Sequence, residues 1–443
     1  PPSVWKASIS VVKDFDFSDG NNPYLKHLGD GWRIHADLVG TKTDEAVLWQ
    51  DLWELQYLMT PARAAQLGLP AAVAPDGRPL FDPTRYSANP NNLTPAPTQA
   101  YPWLSGTTTR SSGSDILLTN TSGGDSIVWA IGVTKSFHDL GLQLDYTYSH
   151  QNVRDVAAAT SSVATSNYNN EITADPNHPG VATSDYQILY EHRFTIDYSH
   201  RFIGDNRTSI RLFLLDRAGL PFSYAFCTTS SSSCTSPSFN GPYDQLFGQS
   251  STSTTHQLLY VPKTDSTGAV TATSDPRVTY GPGFNLQQFN AFLNSSGLIR
   301  YAGAIAPRNA FRSPDVLTAD LQFSQEFPAW FPGGAKGGSK GEFYLDVINL
   351  PNLLNRNWGI DDQVGFPYVF APIVAANCQF SGVTVPGIGG FPTCAAGRGN
   401  FYQYNTLRPT VTPANVNQFS TVQTLSSPPI PTWVIKMGIR YKF

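Results

Sequence analysis

Apolar and polar residues alternate with period two along about nine stretches of this chain, and the final stretch is the most regular. In a pleated strand, Trp433, Ile435, Met437, Ile439, Tyr441 and Phe443 fall on one side, and Val434, Lys436, Gly438, Arg440 and Lys442 on the other. A one-residue slip would exchange the faces, so the pattern fixes the facing. The same alternation predicts a strand over 3 to 13, with Trp5, Ala7, Ile9 and Val11 on one face. A second, from about 31, sets Trp32, Ile34, Ala36 and Leu38 against Arg33, His35 and Asp37. A third, near 124 to 137, carries Ile127, Trp129, Ile131 and Val133, and turns through His138 to Gly141 into Leu142, Leu144, Tyr146 and Tyr148, which alternate with Gln143, Asp145 and Thr147. Phe194, Ile196 and Tyr198 alternate with Arg193, Asp197 and Ser199; after a Gly204-Asp205-Asn206 turn, Ile210, Leu212 and Leu214 alternate with Ser209, Arg211 and Phe213. Leu317, Ala319, Leu321 and Phe323, then Phe343, Leu345 and Val347, flank a Gly-rich turn at 333 to 341.

Short turns and long segments succeed one another. The long ones, 53 to 113, 150 to 188, 226 to 312 and 353 to 428, are rich in Pro, Asn, Ser and Thr and are expected to be structureless loops. Four such loops are rare in a globular domain. They suit an outer-membrane barrel, which has short periplasmic turns and long extracellular loops. That assignment places Phe443 in the periplasm. Nine strands cannot close edge to edge as an antiparallel sheet, and open edges in lipid leave backbone groups unsatisfied. The expected architecture is therefore all-β: the C-terminal part of a larger transmembrane antiparallel barrel.

Composition sharpens this expectation. Only 14% of the 443 residues are charged, where soluble proteins average about 25%, and 12% are aromatic. Few charges and many aromatics suit a lipid-facing surface with aromatic girdles. No apolar run approaches the roughly 18 residues of a membrane helix. The 29 basic and 33 acidic residues are dispersed, with no nucleic-acid footprint. Pro1-Pro2-Ser3 is not a signal peptide, so the expectation includes a mature or truncated chain. Cys227 with Cys234, and Cys378 with Cys394, lie in the expected external segments. The oxidising periplasm predicts a local disulfide in each pair; no CxxC or nearby His favours metal.

Several segments resemble one family. Arg217-Ala218-Gly219-Leu220-Pro221-Phe222-Ser223-Tyr224, Leu258-Leu259-Tyr260-Val261-Pro262, the run from Ala306 to Pro314 (APRNAFRSP), and the stretch from Phe343 to Leu350 with Asn352-Leu353-Leu354-Asn355 are similar to the C-terminal barrel half of TonB-dependent receptors, Oar-like branch. Lys436, Gly438, Tyr441 and Phe443 resemble the signal read by the barrel assembly machinery. The resemblance implies a 22-stranded barrel in a Gram-negative outer membrane, of which residues 1–443 supply about the last nine strands. The family's N-terminal plug and TonB box are not recognisable here. The implied partners are outer-membrane lipid, the TonB complex acting through the missing plug, the assembly machinery and an external ligand; nucleic acid is not among them.

Catalytic chemistry finds little support, and no cofactor or metal is expected. Gly333 to Lys340 has Gly-Ser-Lys where a phosphate loop needs Gly-Lys-Ser/Thr, and no helix follows. Ser149 and His150, with Asp155 nearby, invite a hydrolase reading, but adjacent strand residues point to opposite faces. Arg33, His35, Asp37, Asp145, Arg193, Asp197, Arg211, Asp320, Gln322, Glu326 and Asp346 fall on the inward face. They are expected to solvate a lumen and bond to one another or to the plug, and a subset is a candidate for touching substrate. Loop aromatics such as Tyr402 and Tyr404 are candidates for ligand binding, with loop packing as the commoner role. The expected function is energised import of an external ligand. The alternatives are a non-energised surface barrel serving adhesion, protein export or assembly with partner proteins, and a passive porin-like pore.

Overall fold

A computed structural model describes residues 2–18, 28–56, 58–66, 71–82, 116–157, 161–227, 256–328, 340–366, 368–377, 384–385, 389–390, 402–407, 420–421 and 433–442. The fold is mostly antiparallel β-sheet, and no helix among the described residues is long and apolar enough to cross a membrane. The strands used below are, in chain order, β1 (Ser3–Phe15), β2 (Trp32–Asp51), β3 (Ile116–Thr121), β4 (Asp125–Phe137), β5 (Leu142–Asp155), β6 (Tyr190–Ile203), β7 (Asn206–Arg217), β8 (Pro221–Cys227), β9 (Val278–Tyr280), β10 (Phe311–Arg312), β11 (Val316–Pro328), β12 (Lys340–Ile348), β13 (Val369–Asn377), β14 (Tyr402–Leu407) and β15 (Val434–Lys442).

Nine of these build a wall in the order β1-β2-β4-β5-β6-β7-β11-β12-β15, each strand antiparallel to the next. These are the nine that alternation predicts. The strand begun near 124 extends further back, however. β3 pairs with the upper part of β2 in the register that β4 continues below, interrupted at Ser122 to Gly124. Among the described residues the wall does not close: β1 and β15 each have one neighbour.

Because the pairing is in register, the alternation of each strand becomes a two-faced sheet. Ile9, Leu38 and Trp129 lie side by side on one face, as do Leu144, Ile196, Leu212, Leu321, Val347 and Ile435. This face is bare: Trp5 is 73% exposed, Ile9 61%, Met437 67% and Ile439 73%. Charge flanks it at both ends. At one end lie Lys42, Asp125 and Arg154, side by side on β2, β4 and β5. Near the end with the short turns, Lys135 donates to the carbonyls of Leu28 (3.0 Å) and Asp30 (2.5 Å) while its ammonium lies over the rings of Trp32 and Phe137.

The core lies elsewhere. The expectation of four structureless loops is corrected, because the described parts of those segments fold together into a packed cap. Its five-stranded sheet runs β9-β14-β13-β8-β10, with β8 parallel to β13 and β9 parallel to β14. Phe222, Phe226, Leu259, Tyr260, Phe289, Phe292, Ile373, Tyr402 and Tyr404 are all buried in one apolar cluster. The helix Leu286–Ser296 turns Phe289, Phe292 and Leu293 into that cluster, the i, i+3, i+4 spacing of one helix face. The Asn285 side chain caps its start by accepting from the Gln288 N–H at 3.0 Å, and Gly297 ends it. Burying each such Phe or Leu stabilises the cap by roughly 1.5–3 kcal/mol. Short strands and parallel pairing between distant segments leave no local period, which is why alternation misses them.

Candidate functional site

The polar face of the wall gathers the charged residues singled out in the sequence. Asp37 lies beside Ser10, His35 beside Gly132, and Arg33 beside Asp14 and Thr134. Asp145 joins the row of Arg33 and Thr134, and Arg193 the row of His35 and Gly132. One row crosses seven strands: Ser136, Gln143, Asp197, Arg211, Gln322, Asp346 and Lys436. Asp320 and Glu326 share the face of Gln322, two strand positions before it and four after it. All eleven inward candidates therefore occupy one side of the sheet. Ser149 is on this side and His150 on the other, where its ring stacks on Trp129, so the two form no dyad.

Register converts this alignment into pairing. Arg33 bonds Asp14 at 2.7 Å, Thr134 donates to Asp145 at 2.6 Å, Arg193 pairs with Glu191, Arg211 with Asp197, and Gln322 donates to Asp346 at 3.0 Å. Lys340 pairs with Glu326 at 2.9 Å, Asp320 accepts from the Asn349 N–H at 2.8 Å, and Ser10 donates to Asp37 at 2.5 Å. Arg33, Arg211 and Lys340 thus meet carboxylates on neighbouring strands, as opposite charges on paired strands favour, Arg193 meets one on its own strand, and Asp37, Asp145, Asp320 and Asp346 accept from neutral donors. A groove of about 580 Å³ runs over these rows near the short turns, lined among others by Gln143, Asp197, Ser199, Ser209, Arg211 and Gln322.

Two glycines make room on this face. A Cβ on Gly132 would lie 2.1 Å from the imidazole of His35, and one on Gly438 would lie 2.6 Å from the Tyr344 hydroxyl. Tyr344 in turn carries the Arg440 guanidinium 4.3 Å above its ring. Gly438 therefore has a packing reason of its own beside its place in the assembly-signal pattern. Lys436 lies across from Asp346 and Tyr441 across from Gly341 on β12, while Phe443 falls outside the described residues.

Where this face meets the cap, the APRNAFRSP run holds the two together. Arg308 is buried and donates to the carbonyls of Val156 and Asp155, both at 2.8 Å; it pairs with Glu171 and, at 3.6 Å, with Asp155. Burial lowers its guanidinium to about 10, with Asp155 opposing the shift. Asn309 donates to Asp185 at 2.6 Å and to the Thr183 carbonyl at 2.8 Å. Burial nevertheless pushes the Asp185 carboxyl up to about 6 against that bond, helped by the charge of Asp155. Arg217 reaches Asp361 at 2.9 Å, tying the end of β7 to the connection after β12.

Sequence reasoning missed the buried pair at the centre of the cap, Asp76 and Arg78, 3.0 Å apart, because both sit in a Pro- and Gly-bearing stretch with no period. Tyr402 and Tyr404 are 1% and 0% exposed, so they pack the cap; the Tyr402 hydroxyl donates to Asp76 at 2.9 Å. Cys234, Cys378 and Cys394, the side chain of Cys227, and Gly333 to Ser339 lie outside the described residues. No family model matches the chain, and no curated protein matches it.

Proposed function

We propose that this chain is the C-terminal wall and external cap of a Gram-negative outer-membrane β-barrel receptor of the TonB-dependent kind, which admits an external ligand using energy from the inner membrane. The observation that carries the reading is the two-faced wall. An exposed apolar face bounded by charge wants lipid, and a self-paired polar face wants a wet lumen. From Trp5 to Phe15, β1 rises about 33 Å, which a tilt near 40° reduces to about 25 Å, the height of an outer-membrane apolar band. In lipid the outer edges of β1 and β15 need partners, so closure takes further strands. The groove over the Asp197 and Arg211 row is where a plug would rest against the wall. The family-like segments of the sequence supply the TonB-dependent part of the reading.

The packed cap favours a second reading. A cap with its own core presents a fixed surface, as an adhesion or assembly barrel would, without energised import. Expressing the whole gene in its host and measuring ligand uptake with and without TonB separates the two. Import requires uptake that stops when TonB is deleted, with the protein in the outer-membrane fraction. Outer-membrane protein whose loss changes adhesion or surface assembly, with every nutrient uptake unaltered, sinks the transport reading. Recovery in the soluble fraction sinks both.

A further inference from the structure

Three rings stand together where the cap meets the polar face. Tyr186 and Phe366 each lie nearly at right angles to Tyr368, at 83° and 86°, with ring centroids 6.4 Å and 5.8 Å away. Both remain about half exposed, whereas Phe226, Phe289 and Phe292 in the cap are sealed. The backbone here is held in a costly shape. Tyr368 has φ 61°, a left-handed conformation that a bulky residue rarely adopts, and such strain concentrates at functional sites. Its carbonyl accepts from the Ser223 N–H at 3.0 Å, and its own N–H donates to the Gly365 carbonyl at 2.8 Å. The Ser223 hydroxyl donates to Asn309 Oδ1 at 3.0 Å and accepts from the Asn309 N–H at 2.8 Å. Asn309, itself at φ 56°, bonds Asp185, the neighbour of Tyr186 in the chain. One hydrogen-bonded path thus runs from one end of the ring cluster to the other.

The surroundings are negative. The charge of Asp185 acts on both Tyr186 and Tyr368, and that of Asp155 on Tyr186. Arg308 is shared by Asp155 and Glu171, Arg312, which donates to Gln187 beside Tyr186, is opposed by Asp315, and Asp185 is held by a neutral amide, which leaves carboxylate in excess of guanidinium around the rings. Ring faces and uncompensated carboxylates together attract a cation, and a methylated ammonium accepts both the charge and the apolar ring contact. Rings set at right angles make walls, where a sugar would ask for one broad flat face. We propose that Tyr186, Phe366 and Tyr368, with Asp185 beside them, form an aromatic cage for a quaternary or otherwise methylated ammonium group. The inference goes beyond the receptor reading, and binding is required of the cage whether or not anything is transported.

The test is calorimetric titration of the full-length protein, purified in detergent, with choline chloride. Saturable binding is expected, weakened roughly tenfold or more by Tyr186→Ala and by Phe366→Ala, with the neutral tert-butyl analogue of choline binding at least about tenfold more weakly than choline. Tyr186→Phe keeps the ring and is expected to retain binding, and Asp185→Asn to weaken it. Near-ultraviolet circular dichroism of each variant establishes that the cap is folded. Failure of choline to saturate, equal binding of the neutral analogue, binding of a methyl glucoside instead, or indifference to both ring removals in folded protein would overturn the cage.

Discussion

His35 and Gly132 illustrate how tightly single residues are fitted on the polar face. The imidazole fills the space a Cβ on Gly132 would need, and Thr147 Oγ1 closes the other side, 2.8 Å from that Cβ position. Gly132→Ala is expected to destabilise the wall by about 1–3 kcal/mol, as overpacking does. Adding His35→Ala should restore most of the loss, and a double-mutant cycle in urea unfolding from detergent measures the coupling; strict additivity would show that the two do not touch. Asp185 supplies a pH test. Its carboxyl is raised from 3.8 to about 6 in the folded cap, chiefly by burial. Between these values the folded chain holds a proton that the unfolded chain has released, so this contribution favours the fold at low pH and is lost as pH rises through about 6. Limited proteolysis of the cap is therefore expected to be slower near pH 5 than near pH 7.5, and Asp185→Asn to flatten the difference. An unchanged profile in the variant would assign the dependence to another group.

Among the elements, the helix Leu286–Ser296 carries more of the cap than its length suggests, since Phe289, Phe292 and Leu293 all reach the central cluster. Phe289→Ala should cost about 3–5 kcal/mol, while Gln288→Ala on the exposed side should stay within about 0.5. Protease is expected to trim the cap of the first variant while the wall, in the proposed barrel, keeps its heat-modifiable gel mobility; loss of both at once would mean that cap and wall unfold as one unit. The wall strands were legible because period two is a local signal, repeated in Ile127, Trp129, Ile131 and Val133 without reference to any other segment. The cap was not. Val278–Tyr280 is too short to show a period, and its partner Tyr402–Leu407 lies far along the chain. Tyr402 and Tyr404 look like loop aromatics until the register places them at the centre of a sheet. The polar candidates were legible as a face, from Arg33 to Asp346, but not as pairs, because which carboxylate meets which guanidinium depends on strand register.

For the whole molecule, the proposed lipid face makes a direct prediction. Ile131→Arg places a charge on the apolar side of β4 and is expected to cost about 2–4 kcal/mol near the bilayer midplane, lowering the yield of folded protein in lipid vesicles. Ser149→Arg, on the polar side of β5 beside Glu191, is expected to insert as the parent does. Equal insertion of both variants would remove the lipid assignment. The open wall and the sealed cap also differ in how far apart their contacts lie. Each wall strand pairs with one that follows soon after it, apart from the interruptions the cap makes. The cap pairs β8 with β13 and β9 with β14, so its centre is completed only by Tyr402–Leu407. Loop closure of this length slows folding and leaves apolar surface waiting. The cap is therefore a late product of folding: Phe226, Tyr260 and Phe289 must be shielded by a chaperone or by collapse until Tyr402–Leu407 has arrived, and a chain cut short before β14 would present them bare.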